Sequence, residues 1–214
     1  MSKLPKPKAI LFDWDGTLSD SMPRVHAVLG ECFALMGLPQ PTIAQAHELA
    51  IHGRQAGKVA FGMDDEQNKK FFHLFAERYF VFSPDSAAMD GAAQLIDSLP
   101  VDMSLGIVTN GLRDLIEAQL VHFGWADRFR VVVCAGEAVR DKPYPDPALL
   151  ALEKLGIAPG ADVWLVGDTR GDVECAKSAG LTSVMLAATD SVDCAPHARI
   201  DHLDHLTRHF TDDW

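Results

Sequence analysis

The feature that most constrains the fold of this chain is a set of five short apolar segments, at 9–12, 105–108, 131–134, 163–166 and 183–186. They run almost without polar interruption. A strand with one wet face alternates apolar and polar residues, so unbroken runs are expected where both faces are covered, as in parallel sheets. Stretches with helical spacing, at 112–123, 146–155 and 172–179, separate the last four. Gly124, Gly156 and Gly180 stand just past their ends, where a left-handed helix terminus favours glycine. Alternating strand and helix predicts an α/β fold, a Rossmann-like doubly wound parallel sheet.

One connection does not fit that plan. About ninety residues part the first two strands, far more than a crossover uses. Within them, 23–36 has helical spacing behind the capping candidates Ser19, Asp20 and Ser21. The stretches 42–51 and 65–81 also read as helices, and β-branched runs are absent. The expected organisation is a small α-helical domain inserted over 20–86, with 1–19 and 87–214 forming the core, whose α/β pattern resumes with a helix at 91–99. Phe71, Phe72, Phe75, Tyr79 and Phe80 share helix-face spacing and read as the insert's core, with a dimer surface as the less favoured use. His197, His202, His205 and His209 crowd the C-terminus. An amphipathic terminal helix with Leu203, Leu206 and Phe210 inward is expected there rather than a metal site.

Composition sets the class of partner. With 214 residues, 48% apolar and 23% charged, the chain has ample material for a soluble core. No apolar run approaches the ~20 residues of a membrane span. The basic stretch 1–8 leads into too few apolar residues before Asp13 to read as a signal peptide. Cys32, Cys134, Cys175 and Cys194 form no CxxC pair, and a reducing cytoplasm is the expected location. The net charge of −11 argues against nucleic acid or an anionic membrane as partner. Either a monomer or a homodimer is compatible with these features.

The polar residues that follow the strands carry the chemistry. The first strand runs into Asp13-Trp14-Asp15-Gly16-Thr17 and the second into Thr109-Asn110-Gly111. A loop bearing Lys142-Pro143 follows the third, and the fourth ends in Gly167-Asp168-Thr169-Arg170-Gly171-Asp172. Open α/β sheets place ligands at the carboxyl ends of their strands, so these residues converge on one rim. Asp13, Asp15, Asp168 and Asp172 crowd there, which is costly unless a cation intervenes. Oxygen-only donors with a substrate phosphate suit Mg²⁺. Lys142 adds a fixed positive charge, and Thr109 a hydroxyl. Such a site suits phosphoryl transfer, in which a carboxylate can itself attack phosphorus. Taken singly, each Asp is also an ordinary turn former, and Asp172 can serve simply as a helix cap.

Together the segments Phe12-Asp13-Trp14-Asp15-Gly16-Thr17-Leu18, Val108-Thr109-Asn110, Lys142-Pro143 and Gly167-Asp168-Thr169 with Asp172 resemble the four motifs of the haloacid dehalogenase (HAD) superfamily. The stretches around Asp141-Lys142-Pro143-Tyr144-Pro145-Asp146-Pro147 and Glu174-Cys175-Ala176-Lys177 resemble its phosphoglycolate phosphatase-like subgroup. The resemblance implies Asp13 as nucleophile, Asp15 as general acid and base, and Lys142 as the charge that steadies Asp13. It implies Asp13, Asp15 (through its carbonyl), Asp168 and Asp172 around Mg²⁺, and Thr109, Asn110 and Gly111 about the phosphoryl group. The second aspartate, absent from the superfamily's dehalogenases, favours a phosphatase of a small phosphorylated metabolite or a β-phosphoglucomutase-like phosphomutase. A non-catalytic phosphate-binding protein is disfavoured because every motif residue is present. The insert resembles the family's helical cap, where Arg54 is a candidate for a substrate carboxylate or second phosphate, or else a solvated surface residue.

Overall fold

Each apolar run forms a strand, and a sixth strand joins them, in the computed structural model of the protein, which describes residues 4–81, 86–187 and 194–209. The strands are β1 (Ala9–Phe12), β2 (Ser104–Val108), β3 (Val131–Val133), β4 (Val163–Gly167), β5 (Thr182–Leu186) and β6 (Ala198–Ile200). They lie in the order β3-β2-β1-β4-β5-β6, and every pairing is parallel. β6 has no apolar run to announce it, because Arg199 occupies the middle of its three residues.

Between β1 and β2 the chain forms α1 (Met22–Leu35), α2 (Ile43–His52), a 3₁₀ turn (Gly53–Gln55), α3 (Ala56–Phe61) and α4 (Asp65–Val81). The path into and out of these helices is closed by a short antiparallel contact. Asp20 N–H donates to the Ala87 carbonyl and Met89 N–H to the Leu18 carbonyl, both at 2.9 Å. The helices bury their own cluster, including Val28, Leu29, Phe33, Leu49 and Phe71. α2 starts on a capping box, with Thr42 and Gln45 bonding each other's backbone N–H groups. α1 does not use its expected caps: Ser21 precedes the helix, but its hydroxyl is spent elsewhere, and Pro23 occupies the first turn. α3 has no counterpart in the periodic pattern, since six residues that include Gly57 are too few to show one.

The core continues with α5 (Ala92–Ser98), α6 (Arg113–His122), α7 (Asp146–Leu155) and α8 (Arg170–Ser178). Strand side chains alternate between faces. Ile10, Phe12, Leu105 and Ile107 pack with Leu95 and Ile116 on one side. Ala9, Leu11, Val163 and Leu165 pack with Ala151 and Ala176 on the other. With both faces covered, the sheet is doubly wound. Gly124, Gly156 and Gly180 all take positive φ at helix ends.

The C-terminal stretch is a 3₁₀ helix (Leu203–His209) rather than an α-helix, and it buries Leu203 and Leu206 beneath the sheet's edge. Phe210 and the side chains of Phe80 and His209 lie outside the described residues. His202 pairs with Asp90 and Asp204, and His205 with Asp201, so these histidines face carboxylates. Among the described residues no helix is long and apolar enough to cross a membrane, and the four cysteines are free thiols.

Candidate active site

Parallel register builds the site. Phe12 pairs with Ile107 of β2 and Val166 of β4, so Asp13 emerges between the ends of those two strands. Its N–H still donates to the Val166 carbonyl, at 2.9 Å. The chain order reverses about β1, and such switch points are where open sheets form their crevices. Trp14 turns away from the rim into the core. It is fully buried, stacks on Phe123 at a centroid distance of 5.7 Å and donates its indole N–H to Gln119. Anchoring that ring fixes the backbone on which Asp13 and Asp15 sit. Gly16 then adopts φ +82, and a Cβ there would lie 2.5 Å from Asp168 Oδ2. Glycine lets the loop and the Asp168 carboxylate share that space.

Lys142 lies at the centre. Its buried ammonium is 2.6 Å from Asp13 Oδ1 and 2.6 Å from Asp172 Oδ1. The Lys142–Pro143 peptide beside it is cis. Asp172 Oδ2 accepts from the Thr169 N–H at 3.0 Å and its hydroxyl at 2.6 Å, completing the capping box of α8. Asp172 therefore caps α8, as its simpler reading expects, and also pairs with the Lys142 ammonium. Asp168 accepts from the Thr17 hydroxyl at 3.1 Å.

Crowding sets the electrostatics. Oxygens of Asp13, Asp168 and Asp172 lie within 4.8 Å of one another, with one ammonium among them. Burial pushes the Asp13 carboxyl up to about 7, against the pull of Lys142 and with added repulsion from Asp172 and Asp15. Burial, then Asp13 and Asp172, holds Asp168 well above the carboxylate range. For Lys142, burial opposes the charge, yet Asp13 and Asp172 outweigh it and keep the ammonium protonated. Two buried carboxylates and the half-buried Asp168 against one lysine leave a surplus of negative charge, which a hard divalent cation relieves; the all-oxygen donor set fits one.

A cavity of about 60 Å³ opens over this floor. Asp13, Asp15, Thr109, Asn110 and Gly111 face it from the core, and Met22, Val25, Leu49, Phe72, Phe75 and Tyr79 from the helical insert. Asp15 Oδ1 accepts from Ser21 at 2.6 Å and from Tyr79 at 3.3 Å, so the insert reaches this aspartate directly. Burial raises the Asp15 carboxyl above its ordinary range, with those two hydrogen bonds opposing. The Thr109 hydroxyl accepts the Gly111 N–H at 3.0 Å. The Asn110 amide donates to the Ile51 and Lys142 carbonyls, both at 3.2 Å, tying α2 to the lysine loop. Gly53, at φ +48, permits that approach, because a Cβ there would lie 2.9 Å from Asn110 Cγ.

Arg54 does not join the cluster of the other candidates around Asp13 and the cavity. It is outside the cavity lining, with Nε 2.7 Å from Asp141 Oδ2 and Nη2 3.2 Å from Oδ1. The carboxylate it meets belongs to the core of its own chain. Ser21, Tyr79, Phe72, Phe75 and Asp141 did not emerge as site residues from sequence. A signal existed for three of them: 72, 75 and 79 have i, i+3, i+7 spacing on α4, and they pack with Phe71 in the insert's core, as expected, while also lining the cavity.

Comparison with known proteins agrees with this architecture. The chain is 34% identical over 188 residues to a phosphoglycolate phosphatase of Xanthomonas campestris pv. campestris, spanning 83% of this chain and 82% of that one. It is 34% identical over 178 residues to the N-acetylmuramic acid 6-phosphate phosphatase of Pseudomonas aeruginosa, spanning 81% and 78%. Among solved structures, CbbY of Rhodobacter sphaeroides in complex with phosphate superposes with a TM-score of 0.78 over 94% of this chain and 96% of that one. At 21% identity that likeness speaks for the fold alone. Haloacid dehalogenase-like hydrolases match residues 10–186, a span that takes in the aspartate loop, the Thr109 turn, the lysine loop and the acidic pair after β4. By that match, and by the relatives that share it, this chain belongs to the haloacid dehalogenase-like hydrolase family.

Proposed function

We propose that the protein is a Mg²⁺-dependent phosphatase that hydrolyses a small phosphorylated metabolite through an aspartyl-phosphate on Asp13. The observation that carries this reading is the placement of Asp13: held by Lys142 at 2.6 Å, at the base of a cavity whose same end presents a second carboxyl, Asp15. The named activities of the Xanthomonas and Pseudomonas relatives point to the same chemistry.

In the first half-reaction a carboxylate oxygen of Asp13 attacks phosphorus and the ester P–O bond breaks. Asp15, its carboxyl raised by burial, delivers its proton to the departing oxygen. In the second half Asp15, now ionised, takes a proton from water as that water attacks phosphorus, and the bond to Asp13 breaks to release inorganic phosphate. Lys142 keeps Asp13 oriented and offsets its charge throughout. Thr109, Asn110 and Gly111 supply polar groups around the transferring phosphoryl group. Asp13 and Asp168, with Asp172 beside them, would hold Mg²⁺. The ion would neutralise charge on the phosphoryl oxygens.

Phosphate release from an aryl phosphate tests the reading. Turnover should require Mg²⁺, cease with EDTA and fall at least about a thousandfold in Asp13→Asn, since removing a nucleophile leaves only residual catalysis. Wild-type turnover in that variant would sink the assignment.

A further inference from the structure

We infer that the cavity selects a phosphate ester whose alcohol half is uncharged and carries an apolar face, and that the Phe72, Phe75 and Tyr79 stripe of α4 is what selects it. This rests on the phosphatase reading above and narrows its substrate class.

The two ends of the cavity differ sharply. The core end holds the carboxyls of Asp13 and Asp15 and the polar turn at Thr109, where the phosphoryl group belongs. The leaving group must then extend toward the insert. There it meets Met22, Val25, Leu49, Phe72, Phe75 and Tyr79. The Phe75 and Tyr79 rings stack at 5.4 Å with an interplanar angle of 14°, making a flat wall. Tyr79 turns its one polar atom toward Asp15. A wall of this kind rewards a CH or ring face of the ligand.

It also penalises charge. Among the described residues that line the cavity there is no lysine, arginine or histidine. A carboxylate or second phosphate in the leaving group would be desolvated against aromatic rings with Asp15 close by, and without a cation. Of the insert's cations, Arg54 pairs with Asp141 and Lys58 with Asp65, while Arg24 acts on Tyr79 from outside the cavity lining.

The experiment compares phosphoglycolate with its carboxamide, which keeps size and shape and removes only the charge, and adds 2-methylpropyl phosphate as an apolar ester. Phosphate release is measured with Mg²⁺. The expected result is kcat/KM at least about tenfold higher for the carboxamide and for the alkyl ester than for phosphoglycolate, the scale on which a pocket discriminates. Phe75→Lys, which puts a cation in the wall, should shift the carboxamide-to-phosphoglycolate ratio at least about tenfold toward phosphoglycolate; Phe75→Leu should keep it. If the lysine variant does not fold, the wild-type ratio stands as the measure. Equal or faster hydrolysis of phosphoglycolate by the wild type overturns the inference. No phosphate release from any ester, the aryl one included, removes the phosphatase reading itself.

Discussion

Arg54 of the insert grips Asp141 of the core through two hydrogen bonds, 2.7 and 3.2 Å long, one residue before the lysine that holds Asp13. Asp141 is buried and also accepts the Gly136 N–H at 2.8 Å, so the pair is a fixed strut between insert and lysine loop. The guanidinium is 45% exposed, which limits the strut's contribution to global stability to about 1 kcal/mol. Its effect on the insert's position is larger in consequence. Arg54→Ala should raise KM several-fold and speed amide exchange across 53–61, with Tm little changed. Unchanged exchange there would show that the Asn110 and Tyr79 contacts hold the insert unaided.

On the proposed mechanism Lys142 serves both stability and catalysis, and the two can be separated. Replacing it with Met leaves Asp13 and Asp172 buried without their shared counter-charge, a loss of about 3–5 kcal/mol by the usual cost of breaking a buried ion pair. Adding Asp172→Asn should restore part of that stability, because one of the stranded charges is gone. Activity should stay lost in both variants. Urea unfolding with parallel phosphate-release assays reads the two quantities, and a double variant as unstable as the single one would contradict the electrostatic account.

What could be read from sequence follows from which physical signals are periodic. Buried parallel strands are unbroken apolar runs, so β1 to β5 were legible; β6, with Arg199 in its middle, was not. Residues immediately after strands share the sheet's register, and this is why Asp13, Thr109 and Asp168 can be assigned to one rim before any coordinates exist. The insert is harder. Its helices show which faces are apolar, but not whether an apolar face meets other helices or a cavity, and Phe72 and Phe75 do both. Ser21 reads locally as a helix cap, yet its hydroxyl goes to Asp15, a contact that depends on tertiary position. Arg54 illustrates the same limit: sequence shows a cation in search of a carboxylate, and the fold supplies one from the core.

Gly16 should be intolerant of any side chain. Its φ of +82 costs an L-residue about 1–2 kcal/mol, and a Cβ would meet Asp168 Oδ2 at 2.5 Å. Gly16→Ala is therefore expected to lower Tm by a few degrees and, on the proposed Mg²⁺ role, to raise the half-saturating Mg²⁺ concentration about tenfold or more by displacing Asp168. A magnesium titration of activity checks the second effect. An unchanged half-saturating concentration would mean that Asp168 accommodates the methyl group without leaving its place.

The C-terminal 3₁₀ helix should loosen as pH rises through the histidine range. His202 bridges Asp90 at 3.1 Å and Asp204 at 2.7 Å, and these hydrogen bonds raise its pKa above the ordinary value of 6.5. A raised histidine favours the folded state fully below its unfolded pKa, and that contribution disappears as pH climbs past the folded one. Asp201 and Asp204 act in the opposite sense: hydrogen bonds from His205 and His202 hold them below the ordinary 3.8, so their contribution is lost only in strong acid. The segment should thus be most firmly docked between about pH 4 and 6.5, the ordinary aspartate and histidine values. Because Leu203 and Leu206 bury against the same cluster as Leu95 of α5, loosening should appear as faster amide exchange in α5 as well as in the 3₁₀ helix. His202→Gln should flatten the pH dependence above 6 and also remove the part of the acid side that Asp204 supplies, leaving only that of Asp201. A flat wild-type profile between pH 6 and 8 would show that the two leucines dock the segment without help from the histidine.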